Sequence, residues 1–294
     1  MRRSPTSADL DQNRALETIQ TIYGTFVTVP GDPFSLQLQR YSAHARNELA
    51  MLRSLLHPGD IVLDVGAHIG TLAIPIALAH ERSVRVYAFE PQPEVYSLLE
   101  RNVALNGLDG QISTFHGIVS DRPQSFRPLR NPALPPGRRN TGAMAFMPTT
   151  ETGKVDDQGL PVFLIDAMIS AGDLPSHFDL LKIDTEGAEL AVLRSCGALI
   201  SRELPVIYVE INPTALQKFG TSVDDLDLFL QSHGYHYFRN IGPRNSDNDS
   251  YRIARIRRLV EGGRHFFDLL AVHQRDPRYP RCRETYNALE VEAT

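Results

Sequence analysis

Short apolar runs alternate with amphipathic stretches through most of this chain. The apolar runs lie at residues 61–65, 84–89, 112–119, 180–183 and 206–209. Between them, apolar residues recur at helical spacing, at residues 71–80, 94–106, 188–200 and 223–232. Strands of this kind alternating with helices predict an α/β fold, with a parallel sheet covered by helices on both faces. Two later runs, at 235–238 and 267–272, would bring the sheet to seven strands.

The first 57 residues follow a different pattern. Residues 11–22 are predicted as a short helix, and residues 41–56 carry apolar side chains at helical spacing. Segments 25–29 and 34–38 alternate apolar and polar side chains around the turn signal Pro30-Gly31-Asp32-Pro33, which predicts a hairpin. We therefore expect a helix and hairpin cap ahead of the main domain.

Composition excludes several classes of protein. Hydrophobic residues make up 42% of the 294 positions and charged residues 22%, so the chain has enough apolar side chains for a folded core. The formal net charge of −5 argues against a protein whose main task is to bind nucleic acid phosphates. The two cysteines, Cys196 and Cys282, are too few for a disulfide scaffold and are typical of reduced thiols.

Membrane and export signals are also missing from the sequence pattern. The most apolar stretch, residues 72–79, has eight residues and contains Pro75, whereas a membrane-spanning helix needs about 20 residues. The N-terminus lacks the apolar core of a signal peptide. We therefore expect a cytoplasmic protein without a membrane or nucleic acid partner.

Arginine is concentrated in two places. Of the 30 basic residues only Lys154, Lys182 and Lys218 are lysine, and five of the arginines lie within residues 121–139 beside five prolines. Proline removes backbone donors, so this stretch is predicted as a long loop. It is either solvated surface or a lid that meets an anionic group. A second arginine cluster follows the polar linker GPRNSDNDS.

These patterns define the expected domain organisation. The cap covers residues 1–57, and one main domain covers residues 58–294. The loop rich in proline and arginine forms an insertion in that domain, at about residues 121–160.

A glycine turn follows the first strand of the alternating pattern. The sequence Asp64-Val65-Gly66-Ala67-His68-Ile69-Gly70 leaves this strand and enters a helix. Gly66 allows a sharp turn, Gly70 allows close packing, and the helix N-terminus offers free N–H groups to a ligand. His68 stands where a dinucleotide fingerprint has its middle glycine, which weakens an NAD interpretation and favours a smaller cofactor tail. A turn with packing duties alone is the alternative.

Glu90 ends the second strand, 20 residues after Gly70. A carboxylate at this distance accepts hydrogen bonds from the ribose hydroxyls of an adenine nucleoside. The alternative is a purely structural role, because Pro91 and the residues after it begin a helix, whose N-terminus favours a negative charge. The upstream glycine turn favours the nucleoside interpretation.

The sequence resembles a known family in several blocks. The blocks are PGDIVLDVGAHIGTLAIPIAL, VYAFEPQPEVYSLLERNVALNGL, GIVSD, FDLLKIDTEGAELAVLRS and VIYVEINP. They are similar to the FkbM family of S-adenosylmethionine-dependent methyltransferases. The resemblance implies a Rossmann-like class I methyltransferase fold, with a mostly parallel sheet whose seventh strand is antiparallel. It also implies O-methylation of a hydroxyl on a sugar, polyketide or other small metabolite.

The resemblance also assigns residues to the cofactor. Asp64, Gly66 and Gly70 would hold the methionine end, and Glu90 would hold the ribose. Asp121, after the third strand, is a candidate for the adenine amino group. The full set expected at S-adenosylmethionine is Asp64, Gly66, Ala67, His68, Gly70, Glu90, Pro91 and Asp121.

Acidic side chains at two strand ends are candidates for the acceptor side. Asp184, Glu186 and Glu189 follow the fourth strand, and Glu210 with Asn212 follows the fifth. A hydroxyl acceptor needs a general base or a metal ion, so Asp184, Glu186 and Glu210 are the predicted catalytic residues. Asp184, Glu210 and Asn212 could also hold Mg²⁺. Glu189 is interpreted as a helix-terminal charge.

Other functions stay open at the level of sequence. A carboxylate acceptor would need no base, so the enzyme could form methyl esters instead of ethers. A nicotinamide-dependent oxidoreductase would share the sheet and Glu90 but lacks the middle glycine of the fingerprint. A non-catalytic protein that binds the cofactor, or a partner through its basic loops, is the third alternative.

Overall fold

The computed structural model describes residues 16–129, 140–148, 159–242, 248–259, 266–279 and 282. The strands in this part are β1 (Glu17–Thr21), β2 (Gly24–Thr28), β3 (Ile61–Val65), β4 (Arg85–Glu90), β5 (Ile112–His116), β6 (Ile118–Val119), β7 (Phe126–Leu129), β8 (Ala145–Pro148), β9 (Val162–Phe163), β10 (Leu180–Ile183), β11 (Val206–Ile211), β12 (Tyr235–Asn240), β13 (Ile253–Ile256) and β14 (Phe267–His273). The helices are α1 (Pro33–Tyr41), α2 (Arg46–Leu55), α3 (Ala73–Ala77), α4 (Pro93–Leu105), α5 (Ile165–Ala171), α6 (Glu189–Ser195), α7 (Gly197–Glu203), α8 (Pro213–Lys218) and α9 (Val223–Ser232).

One large sheet organises the protein, with strand order β13-β12-β14-β11-β10-β3-β4-β5. Strands β5, β4, β3, β10 and β11 are parallel to one another, and β14 pairs antiparallel with both β11 and β12. The expectation of a mostly parallel sheet with an antiparallel seventh strand is therefore confirmed. The sheet has eight strands instead of seven, because β13, from the second arginine cluster, adds to the edge.

The sheet places a ligand crevice between β3 and β10. From β3 the chain proceeds to β4 and β5 on one side, and it later returns as β10 on the other side of β3. All residues of β3, β10 and β11 are buried, because apolar side chains and helices cover both faces of the sheet. Ligands of open α/β sheets bind where the strand order reverses, outside the carboxyl ends of the strands.

The N-terminal segment differs from the sequence-based expectation. Glu17–Thr21 is strand β1, which pairs with β2, so the helix expected at 11–22 is wrong for this part; residues 11–15 lie outside the described residues. The expected hairpin around Asp32 is also wrong. The turn is present, since the Asp32 N–H donates to the Val29 carbonyl at 3.2 Å, but it leads into a helix and not into a second strand. The Asp32 carboxylate accepts a hydrogen bond from the Phe34 N–H, and Pro33 begins α1.

Two predicted elements are each divided in the structure. The strand expected at 112–119 separates at Gly117 into β5, on the edge of the large sheet, and β6, which pairs with β9. The helix expected at 188–200 separates at Cys196 into α6 and α7. The expectation for 41–56 is met only from Arg46, because α1 extends to Tyr41.

The insertion contains more regular structure than expected. Strand β7, within the predicted loop, pairs antiparallel with β8 in a separate two-stranded sheet, in which Pro128 lies opposite Phe146. Proline is compatible with such a peripheral strand, although it is excluded from a central one. Arg130, Arg138 and Arg139 of the predicted loop lie outside the described residues.

Two further features are the burial of both cysteines and the lengths of the described helices. Cys196 and Cys282 are both free and buried, and burial raises the pKa of the Cys196 thiol. The longest helix in the described ranges, α4, has 13 residues, and within those ranges no helix is long and apolar enough to cross a membrane.

Asn102 of α4 and Asn106, which caps its C-terminus, attach the N-terminal hairpin to the main domain. The Asn106 amide accepts from the Thr25 N–H at 2.9 Å and donates to the Thr25 carbonyl at 2.8 Å. One turn earlier, the Asn102 amide makes the same pair of bonds with Val27, at 2.7 and 3.2 Å. The two side chains therefore form the hydrogen bonds to the β2 backbone that a neighbouring strand would form. Asn102 also donates to the Ile69 carbonyl at 2.9 Å, so the hairpin and the glycine turn share one side chain.

Replacing Asn102 should destabilise the protein, because the Asn102→Ala change leaves buried backbone groups of Val27 and Ile69 without partners. We expect a loss of about 1–3 kcal/mol in the free energy of unfolding, measured by urea denaturation. Arg101→Ala, at the exposed neighbouring position of the same helix, is the matched control and should change the free energy little. Equal losses in both variants would contradict the proposed attachment.

Candidate active site

A cleft opens at the carboxyl ends of β3, β4 and β10, at the reversal of the strand order. It contains about 830 Å³ of empty space, part of it open to solvent. The walls that come from the sheet are the glycine turn, the segment Glu90 to Gln92 after β4, and the segment Asp184 to Glu186 after β10. Its position, where the strand order reverses, fits a small-molecule ligand.

The glycine turn fits against β10 so closely that Gly66 has no room for a side chain. Gly66 has a φ of +82°, and a Cβ atom built on it would lie 1.8 Å from the Asp184 carbonyl oxygen. The Gly66 and Ala67 N–H groups both donate to the Phe89 carbonyl, at 2.9 and 3.0 Å. Gly70 lies away from the cleft lining, and a Cβ there would approach Leu99 and Ile74. Its role is therefore close packing of the helix against the turn.

A buried ion pair lies directly beneath the turn. The Lys182 amine is 3.1 Å from Asp64 Oδ1 and donates to the Gly66 carbonyl at 2.7 Å. Lys182 and Asp64 are register partners on β10 and β3, and their side chains are only 5% and 0% exposed. Burial raises the pKa of Asp64, against the attraction of the ammonium group. For Lys182, burial lowers the pKa, but the carboxylates of Asp64 and Asp184 outweigh it and the net pKa is raised.

The Glu90 carboxylate accepts hydrogen bonds from two backbone N–H groups, one in the glycine turn and one just after β4. Its Oε2 accepts from the His68 N–H at 3.0 Å, and its Oε1 accepts from the Gln92 N–H at 2.9 Å. The residue is 3% exposed, and this burial raises the pKa of its carboxyl to about 7, although the two N–H groups favour the ionised form. Glu90 therefore changes charge near neutral pH.

His68 has a left-handed backbone conformation that favours glycine, with a φ of +54°. Its ring packs against Phe34, with 4.1 Å between centroids, and its Nε2 lies 2.7 Å from Thr141 Oγ1. Burial, with a smaller effect of Lys182, lowers the pKa of the imidazole to about 3. His68 is therefore neutral at pH 7 and adds no positive charge beside the ligand.

Three carboxylates meet beyond the carboxyl ends of β10 and β11, and that of Asp184 also lies 3.9 Å from the Lys182 amine. Oxygen atoms of Asp184, Glu186 and Glu210 all lie within 4.8 Å of one another. Asp184 and Glu186 line the cleft, and Glu210 is 9% exposed at the end of β11. Such a group can accept a proton from a ligand or hold a hard cation, because either one reduces the repulsion between the carboxylates. The structure thus brings together all three predicted catalytic residues.

Three other acidic or amide side chains have different positions. Asn212 Oδ1, expected beside Asp184 and Glu210 as a cation ligand, caps α8 by accepting from the Ala215 N–H at 3.2 Å. Asp121 does not line the cleft, where Ile118 and Val119 stand instead. Glu189 Oε1 accepts from the N–H groups of Thr185 and Gly187 and so has the structural role expected of it.

Several residues of the cleft were missed by sequence reasoning. Lys182 carried one usable signal, since it interrupts an otherwise apolar central strand in a chain with only three lysines. Phe34 and His44 come from the cap, and Thr141 contacts His68 from the insertion. Local patterns gave no signal for these three, because the residues that they approach are distant in the sequence.

Comparison with protein families and characterised proteins finds similarity to methyltransferases. Residues 64–237, more than half of the chain, match the family model described as Methyltransferase FkbM domain. The chain is 40% identical over 57 residues to 31-O-demethyl-FK506 methyltransferase FkbM from Streptomyces tacrolimicus, which covers 19% of this chain and 22% of that protein. It is 26% identical over 154 residues to Methyltransferase 1 from Beauveria bassiana, which covers 47% of this chain and 59% of that protein.

Other similarities are shorter or more distant. A tRNA (guanine(37)-N(1))-methyltransferase from Danio rerio is 44% identical over 61 residues, which covers 21% of this chain and 12% of that protein. The matched segments of the curated relatives thus span between 12% and 59% of their lengths. A solved structure of Methyltransferase FkbM from Methylobacillus flagellatus KT has a TM-score of 0.45 and 16% identity, and covers 81% of this chain and 51% of that chain.

The Lys182→Met variant should test the buried ion pair. Removing the amine leaves the Asp64 carboxylate buried without its cation, so we expect a loss of about 3–5 kcal/mol in the free energy of unfolding. Combining it with Asp64→Asn removes both charges and should recover part of the loss. Lys218→Met, at an exposed position on α8, serves as the control in the same urea denaturation series. A double variant less stable than Lys182→Met would contradict the pairing.

Proposed function

This chain belongs to the FkbM methyltransferase family, and on that premise we propose that it transfers the methyl group of S-adenosylmethionine to a hydroxyl group of a small molecule. One observation carries the proposal. The glycine turn and Glu90 line the same cleft as Asp184 and Glu186, whose carboxylate oxygens lie within 4.8 Å of each other and of Glu210. A cofactor held at the turn would then present its methyl group to an acceptor beside carboxylates.

The cofactor is assigned to the wall formed by the turn. Glu90 would accept hydrogen bonds from the ribose hydroxyls, and Pro91 follows it at the rim. The segment Gly66 to His68 would contact the methionine end, supported from below by the pair of Asp64 and Lys182. Adenine would lie against Ile118 and Val119, which line the cleft after β5, and not against Asp121.

The chemical step is an in-line displacement at the methyl carbon. The acceptor oxygen forms a bond to carbon while the carbon–sulfur bond breaks, and the hydroxyl proton passes to a carboxylate. Correct alignment can supply about 7–11 kcal/mol of the barrier reduction in well-oriented systems. Asp184 or Glu210 would act as the base, since an alcohol does not lose its proton unaided near neutral pH.

Electrostatics favour a neutral acceptor over a carboxylate. Asp184, Glu186 and Glu210 would repel an anionic acceptor at the position where it must react. The same charges attract the positive sulfonium group of the cofactor. They are also oxygen ligands of the type that Mg²⁺ prefers, so a bound cation is the alternative means of activating the hydroxyl.

The proposal can be tested with radiolabelled cofactor and a panel of acceptors. Binding of S-adenosylhomocysteine and NAD⁺ is first compared by calorimetry, and preference for NAD⁺ would overturn the methyltransferase assignment. Labelled S-adenosylmethionine is then incubated with alcohols, sugars, carboxylic acids and total tRNA. Label that survives mild base indicates an ether, and label released as methanol indicates an ester. Label in precipitated RNA, or none in any acceptor despite tight cofactor binding, would contradict the proposal.

Cofactor affinity should depend on pH through Glu90. Ribose hydroxyls donate to the ionised carboxylate, so binding lowers the pKa of Glu90 and releases a proton. Starting from a pKa of about 7, the affinity for S-adenosylhomocysteine should fall by up to about tenfold for each pH unit below 7, and level off above about pH 8. Glu90→Gln should bind more weakly, with little dependence on pH between about 6 and 8. The same slope in both proteins would exclude Glu90 as the titrating group.

Asp184→Asn and Glu210→Gln should reduce turnover more than cofactor binding. If one of these acids is the base, its replacement should lower kcat by about 10²–10⁴-fold and change the dissociation constant of S-adenosylhomocysteine little. Asp173→Asn, at an exposed loop position, is the control. Loss of turnover in the wild type after treatment with a chelator, restored by Mg²⁺, would assign activation of the hydroxyl to a cation instead.

A further inference from the structure

Thr141 of the insertion is the meeting point of three distant segments. Its N–H and its hydroxyl both donate to Asp32 Oδ2, at 2.9 and 3.0 Å. Its Oγ1 lies 2.7 Å from His68 Nε2 in the glycine turn. Its carbonyl accepts from Gln92 Nε2 at 2.9 Å, in the segment after β4. One residue therefore joins the cap, the glycine turn and the segment that follows Glu90.

The direction of these hydrogen bonds is determined by Asp32. A carboxylate only accepts, so the Thr141 hydroxyl proton points to Asp32 and its oxygen must accept from His68. His68 is therefore protonated on Nε2, in agreement with its neutral state. Asp32 uses its other oxygen, Oδ1, to accept from the Phe34 N–H at the start of α1. The chain of donors from His68 to Asp32 is complete without a water molecule.

The two residues held by Thr141 are the same two that hold Glu90. The N–H groups of His68 and Gln92 donate to the two oxygens of the Glu90 carboxylate, and the side chains of both residues bond to Thr141. The network is thus a closed ring, with Glu90 on one side and Thr141 on the other. A displacement of Thr141 would change the positions of both N–H groups that orient Glu90.

Close packing keeps Thr141 in this position. A Cβ atom on the next residue, Gly142, would lie 2.4 Å from the Phe34 ring, so the insertion passes directly over that ring. Phe34 in turn contacts both His68 and His44, with ring centroids 4.1 and 4.6 Å apart. Gly142, Met144 and Phe146 continue from Thr141 along the cleft wall.

From this ring of contacts we infer that Thr141 is a positioning residue for the cofactor, which acts through His68 and Gln92 on the Glu90 carboxylate. The inference rests on the proposed function, since it takes the cofactor to be bound at Glu90. It gives the insertion a specific role, because its residue Thr141 sets cofactor affinity without belonging to any of the cofactor motifs.

Three variants separate this role from a general effect on folding. Thr141→Val keeps the shape but removes the hydroxyl, and Thr141→Ser restores the hydroxyl. Asp32→Asn keeps an oxygen to cap α1 but replaces an acceptor of Thr141 by an amide donor. Thr221→Val is the matched control, since the Thr221 hydroxyl donates to the Leu216 carbonyl at 3.2 Å, away from the cleft lining.

The readout is the dissociation constant of S-adenosylhomocysteine, measured by calorimetry beside the melting temperature of each free protein. We expect about a tenfold increase for Thr141→Val, a similar increase for Asp32→Asn, and values near wild type for Thr141→Ser and Thr221→Val. For the double variant Asp32→Asn with Thr141→Val, the increase in the dissociation constant should be much smaller than the product of the two single increases, because both changes break the same contact.

The possible failures are distinguishable. If the wild type does not bind S-adenosylhomocysteine, the proposed function fails. If it binds and both Thr141→Val and Asp32→Asn bind equally well, the role of Thr141 is excluded. A similar weakening in Thr141→Ser and Thr221→Val would also exclude it, since the effect would then be a general loss of stability. If Thr141→Val does not fold, the pair of Asp32→Asn and Thr141→Ser decides the question in the same way.

Discussion

One buried ammonium group, that of Lys182, connects the two central strands β3 and β10 to the glycine turn. Lys182 lies on a central strand, neutralises Asp64 on the neighbouring strand and binds the Gly66 carbonyl of the turn above them. Two isolated charges in this interior would be strongly unfavourable, so the pair constrains how β3 and β10 can align. The same constraint brings the Gly66 turn so close to the Asp184 backbone that only glycine fits there. The ion pair and the close approach of Gly66 to Asp184 thus define the part of the cleft between β3 and β10.

Two parts of the chain that have no cofactor motif, the cap and the insertion, also contribute to the cleft. The N-terminal hairpin is attached through Asn102, which also contacts the Ile69 carbonyl of the turn. The insertion is attached through Thr141, which contacts Asp32 of the cap as well as His68. These attachments are hydrogen bonds of side-chain amides and a hydroxyl to backbone groups, to the Asp32 carboxylate and to the His68 imidazole. The cap and the insertion are therefore integral to the site and not additions to its surface.

Charge is distributed unequally along the cleft. Near the turn, His68 is neutral and the ammonium of Lys182 is paired with Asp64, while Glu90 has a pKa of about 7 because it is buried. The Asp184 carboxylate lies 3.9 Å from the same ammonium group, and Glu186 and Glu210 add further negative charge beside it. This arrangement suits a cationic cofactor with a neutral acceptor. In our proposal it also makes cofactor binding depend on pH, because Glu90 holds the ribose.

The sequence by itself determined the order of strands and helices, the glycine turn, and the placing of Glu90, Asp184 and Glu210 at strand ends, because periodicity and strand termini are local signals. It did not determine that residues 17–21 pair as a strand, that the Asn212 oxygen caps a helix, or that Asp121 lies away from the cleft. It also gave no indication of Thr141. These features depend on contacts between residues far apart in the chain, and such contacts are set by strand register and by the path of the loops, which only the folded structure decides.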